Sequence, residues 1–206
     1  MSTRANLFYA TVVSMLLGMS GVLLAAWLPW WSDRPDHPET AAFETRLTGV
    51  DLTAGLRSYM REEAVARRYP ELVDVTRILR PATPDHPARD LVTLELSPFT
   101  HLGVEGRMTL DFFNDRLMEM TFIPQDASAY AAALARAEPG LRRDNTGRRE
   151  QINGHRRVAS NVEQLSTPAG RQLGSTPFTL WQDRRLRAQL DDWDARFGHF
   201  APPAER

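Results

Sequence analysis

Catalysis needs acids, nucleophiles or metal ligands at matched spacings, and this chain offers few candidates. Two carboxylates recur in similar surroundings, Asp115 in LDFFNDR and Asp183 in FTLWQDR. Two acids facing each other across a substrate would suit glycoside chemistry. Both lie in turn-like sequence, where Asp bonds the backbone, and a structural role is the expectation. The five histidines, His37, His86, His101, His155 and His199, fall in no motif with Ser or Asp. There is no HExxH and no paired-His helix, so no metal site is expected. Gly103-Val104-Glu105-Gly106 is too short for a phosphate loop and precedes a strand. A hydrolase would have to assemble itself from distant residues such as Glu95, His101, Asp111 and His155.

Composition removes further chemistry. The chain has no cysteine, which excludes disulfides, thiolate zinc, iron–sulfur clusters and a thiol nucleophile. All 25 basic residues are arginine, so a Schiff-base or P-loop lysine is excluded. No catalytic set and no cofactor is expected. The net charge of −1 argues against a nucleic-acid partner.

The strongest polar signal is basic. Arg142, Arg143, Arg148, Arg149, Arg156 and Arg157 come as three pairs, in a window from Arg136 to Arg157 that also carries three acids. Guanidinium forks suit phosphate or carboxylate groups, so this region is the candidate anion- or partner-binding site. The alternative is a solvated, protective edge.

Elements must position these groups, and the first lies at the N-terminus. No charged residue occurs from Ala5 to Ser32. Leu7 to Trp31 is long and apolar enough to cross a bilayer. Phe8 and Tyr9 at one end, and Trp27, Trp30 and Trp31 at the other, suit the two interfaces. The apolar run is longer than a cleaved signal peptide needs, so residues 1–32 are expected to be a transmembrane signal-anchor. Arg4 on one flank and Asp33, Asp36 and Glu39 on the other predict an extracytoplasmic C-terminal domain. Thr11, Ser14, Gly18, Gly21 and Ala25 form one small-residue stripe, a helix-packing face for a second copy or another membrane helix.

Residues 33–46 read as a linker and 199–206 as a flexible tail. Between them, 47–198 reads as a soluble domain. A helix is expected from Asp51 to Tyr69, stopped by Pro70. Leu72–Leu79 and Leu91–Leu96 alternate like strands. Gly103–Pro124 reads as a hairpin turning at Asn114-Asp115. Asp126 caps a second helix that ends before Pro139.

Two matches, at offsets of 69 and 68, link the halves: ARRYPEL with ARAEPGL, and LDFFNDR with FTLWQDR. They predict an α+β fold in which the transmembrane helix is followed by a two-fold tandem repeat of helix plus antiparallel β-meander, with units of about 47–124 and 125–198. Leu186 to Phe197 fits helical spacing, yet the repeat makes Leu186 to Asp191 a strand. The functional expectation is a single-pass protein of the bacterial inner membrane with its domain in the periplasm. That domain would be a non-catalytic binding or assembly module for another envelope protein. A membrane-tethered hydrolase using carboxylate or His residues is the alternative.

Overall fold

The computed structural model describes residues 37–143, 148–166 and 175–198. Its centre is one eight-stranded antiparallel sheet, in the order β1-β2-β3-β4-β8-β7-β6-β5. The strands are β1 (Val73–Arg80), β2 (Arg89–His101), β3 (Val104–Phe113), β4 (Leu117–Pro124), β5 (Arg142–Arg143), β6 (Arg149–Asn153), β7 (Arg156–Ser160) and β8 (Thr179–Asp183). Among the described residues five helices accompany them: α1 (Thr40–Glu44), α2 (Glu62–Arg68), α3 (Ala127–Ala137), α4 (Val162–Ser166) and α5 (Arg184–Phe197).

The period-2 pattern of the strands explains the sheet's two faces. Val92, Leu94, Leu96, Met108, Leu110, Phe112, Met120, Phe122, Trp181 and Val158 point to one side. There they pack with Tyr130 and Leu134 of α3, Val65 of α2, Val162 of α4 and the loop residues Leu52 and Leu56. On the other side, α5 lays Leu186, Leu190, Trp193 and Phe197 against Phe113, Met118 and Phe43, with Leu91 at the margin.

Three expectations are corrected. The chain does not fold as a two-fold tandem repeat of helix plus meander. A single sheet runs through both halves, because β8 pairs with β4 on one side and β7 on the other. The supposedly equivalent turns also differ. Asn114 and Asp115 make the β3–β4 turn with φ of 48° and 56°, whereas Gln182 and Asp183 end β8. Asp183 then caps α5, its carboxylate accepting from Arg185 N at 2.9 Å.

Residues 186–191 are therefore helix, not strand. Apolar residues at 186, 190, 193 and 197, preceded by a capping Asp, outweigh the analogy between halves.

The expected helix from Asp51 is confined to Glu62–Arg68. Ala54, Gly55 and Tyr59 have positive φ, so the chain there is a folded loop that drives Leu52 and Leu56 into the core.

Among the described residues, no helix is long and apolar enough to cross a membrane. The expected anchor 1–32, its packing stripe Thr11, Ser14, Gly18, Gly21 and Ala25, and the tail 199–206 lie outside the described residues. The end of the expected linker is docked onto the domain. Phe43 is buried, Arg116 donates to the carbonyls of Phe43 and Thr45, and His37 stacks edge-on against Phe197.

Candidate binding surface

An antiparallel sheet has two edges, and here they differ. β5 is two residues long, and both are exposed arginines. A short, charged strand is one way in which natural sheets discourage foreign pairing. β1 is eight residues long and every one is exposed. Val73 (56%), Val75 (55%), Ile78 (43%) and Leu79 (56%) are four of the seven large hydrophobic side chains exposed among the described residues. Among those residues β1 pairs only with β2, so its outer N–H and C=O groups have no ladder partner. Among the described residues no helix buries a side chain of this strand. A bulge between Asp74 and Thr76 interrupts the β1–β2 register. Arg77 is held by Glu62 at 2.6 Å and Asp74 at 2.9 Å, which fixes the strand to α2.

Five of the six expected anion-binding arginines lie on β5, β6 and β7 and Arg148 immediately precedes β6; carboxylates of the same chain engage at least four of them. Arg143 and Arg149 converge on Glu163, with Arg149 bidentate. Arg156 grips Glu138, which also accepts from Trp181 Nε1 at 3.2 Å, and donates to Leu52 O at 3.1 Å. Arg157 pairs with Glu150 at 2.5 Å. These forks brace the sheet against α3 and α4. Their hydrogen bonds hold the Glu163 carboxyl below its usual range and raise Arg149. Arg142 and Arg148 are exposed beside the undescribed residues 144–147.

The residues named for a hydrolase do not converge. His101 is buried on the face packed by α2, α3 and α4. Its Nε2 lies 2.8 Å from Thr53 Oγ1 and its Nδ1 2.7 Å from the Tyr130 hydroxyl. Burial pushes its pKa down to about 4, against a small opposing pull from Glu138. Asp111 lies on the opposite face, hydrogen-bonded by Thr93 at 2.5 Å. His155 is exposed in the β6–β7 turn.

One acidic pair was missed from the sequence. Asp111 and Glu119 are register partners on β3 and β4, beside Arg187 in a shallow cavity of about 200 Å³. Burial raises both carboxyls, and Asp111 raises Glu119 further. Being cross-strand neighbours, they stand side by side, not opposed across a cleft. Plain alternation from the Asn114-Asp115 turn would set Asp111 against Met118; the register shift between Asp111 and Phe112 brings Glu119 opposite instead, so the pairing leaves no signal in the sequence. Among the described residues, no group of three or more His, Asp or Glu could hold a metal ion.

Fold and surface together define an α+β protein with one antiparallel sheet, one guarded edge and one open edge. No protein-family model matches the chain, and neither the curated proteins nor the solved structures contain a significant match.

Proposed function

We propose that the protein is a binding or assembly module of the bacterial cell envelope. In this reading residues 1–32 tether it to the inner membrane and its domain works in the periplasm, with β1 as the docking element. The observation that carries the reading is the long, apolar, uncovered edge at Val73–Arg80, set against the two-arginine edge on the far side. Adding a strand to such an edge is a standard way to recruit an extended segment. The internal pairing of four arginines supports β1 over the arginine region as the primary contact.

The test is affinity capture from solubilised membranes by the full-length chain. It compares the wild type with Val75→Lys/Ile78→Lys and with Arg142→Ser/Arg148→Ser. Loss of one identified envelope protein with the first variant, and its retention with the second, is the expected result. Loss with the arginine variant alone would move the contact to β5–β6.

The hydrolase alternative rests on Asp111 and Glu119. Turnover of an envelope substrate that disappears in Asp111→Asn and Glu119→Gln, with the fold intact by circular dichroism, would replace the module reading.

A further inference from the structure

We infer that the β1 edge pairs with the β1 edge of a second copy, in an antiparallel two-fold ladder that joins two eight-stranded sheets into one. This rests on the reading of β1 as the docking edge and names its occupant. The argument is the self-complementarity of the strand Val73-Asp74-Val75-Thr76-Arg77-Ile78-Leu79-Arg80 about its bulge. A two-fold interface sets residue i opposite residue j, and j opposite i.

With Thr76 on the dyad, Asp74 faces Arg77 of the other copy. Val73 faces Ile78. An acid meets a base and an aliphatic residue meets another.

The bulge makes this register possible. Residues opposed in an antiparallel pair must point to the same face. In a regular strand Val73 and Ile78, five apart, would point to opposite faces. β1 steps from Asp74 to Thr76 while β2 steps from Leu94 to Thr93, which resets the alternation. Val73 then shares a face with Ile78, and Asp74 shares a face with Arg77. The matching holds in the folded strand and not only in the letters.

The absence of cysteine from the chain makes single-cysteine cross-linking in the full-length protein clean. In detergent solution, mild oxidation of Thr76→Cys should give disulfide-linked dimers. On the dyad the two Cα atoms would lie within the span that a disulfide bridges, about 4.4–6.8 Å. Arg80→Cys alone should give none, since its copies would lie eight ladder positions apart, about 27 Å. Mixing Val73→Cys with Ile78→Cys chains should cross-link where neither does alone.

In sedimentation, Val73→Arg or Ile78→Glu should weaken association about tenfold, because symmetry repeats each contact of a charge with an aliphatic partner. The double exchange should restore it. Both residues are exposed, so folding is not at stake.

A monomer at all concentrations, a dimer that Thr76→Cys does not capture, or a double exchange that fails to restore association would each overturn the inference. If the chain is monomeric and Val75→Lys/Ile78→Lys still abolishes capture of an envelope protein, β1 serves another partner and the wider reading survives. If capture is also unchanged, both fall.

Discussion

Arg116 shows what a single residue contributes. Its side chain is fully buried, and among the described residues no carboxylate forms an ion pair with it; Glu44 acts on it only at longer range. Nε donates to Phe113 O at 3.2 Å, Nη1 to Thr45 O at 2.8 Å and to Gln189 Oε1 at 2.9 Å, and Nη2 to Phe43 O. Burial lowers its pKa to about 10, so it stays charged at neutral pH and four neutral oxygens carry the solvation. Arg116→Ala strands those acceptors and opens a void. It should cost about 3 kcal/mol in urea unfolding, whereas an exposed arginine such as Arg142 should cost under about 0.5 kcal/mol.

His101 gives the pH dependence. Its folded pKa of about 4 lies below the ordinary value of 6.5. The unfolded chain therefore takes up a proton first as pH falls. Stability is lost from about pH 6.5 downward and levels off below about 4, by at most about 3 kcal/mol. His101→Gln should flatten that segment of the stability–pH curve relative to wild type. An unchanged slope would mean that other groups govern it.

At the scale of elements, α5 depends on its cap. Burial alone would raise the Asp183 carboxyl. Hydrogen bonds from Arg185 and from Ser58 Oγ, the latter at 2.7 Å, outweigh it and leave the pKa lowered. Asp183→Ala should destabilise by about 2 kcal/mol, combining the loss of a cap with stranded donors. Asp183→Asn should recover part of this, because an amide oxygen can still accept from Arg185 N. Thermal melts of the two variants check the order.

The cap was visible in the sequence as Asp followed by Leu186, Leu190, Trp193 and Phe197. Against it stands the Asp-Arg that also occurs at the β3–β4 turn. An Asp in extended backbone ends a strand equally well into a hairpin or a helix. Only the residues beyond it decide, and here they have helical spacing. The loop 51–60 misled in the opposite way. Leu52, Leu56 and Tyr59 have helical spacing, but the positive φ at Ala54, Gly55 and Tyr59 breaks the turn.

For the molecule as a whole, local pattern revealed strands and hairpins but not which meander edge meets which. The joint between β4 and β8 spans residues about sixty apart, and its Met120–Trp181 pairing leaves no periodic trace in the chain. The open edge was legible only as one more alternating segment. Its exposure follows from α3, α4 and α5 all lying elsewhere, a fact of tertiary packing. Because one sheet crosses both halves, the domain should unfold as a single cooperative unit. In a fragment of residues 37–206 the only tryptophans are Trp181 and Trp193, one in each apolar cluster. Fluorescence and far-ultraviolet circular dichroism should give coincident urea transitions. Two separated transitions would mean that the halves are energetically independent.

The docking of the chain from His37 onward also sets a leash. Between the apolar run that ends at Trp31 and the first docked residue lie residues 32–36. Fully extended, they reach about 18 Å. On the proposed anchor the domain would hang close to the bilayer surface, held at the end carrying Phe43, Arg196 and Phe197. Its search for another chain would be lateral, within a layer about as deep as the domain itself. Lengthening the leash with Gly-Ser repeats would dilute it into the surrounding volume without altering any contact it can make.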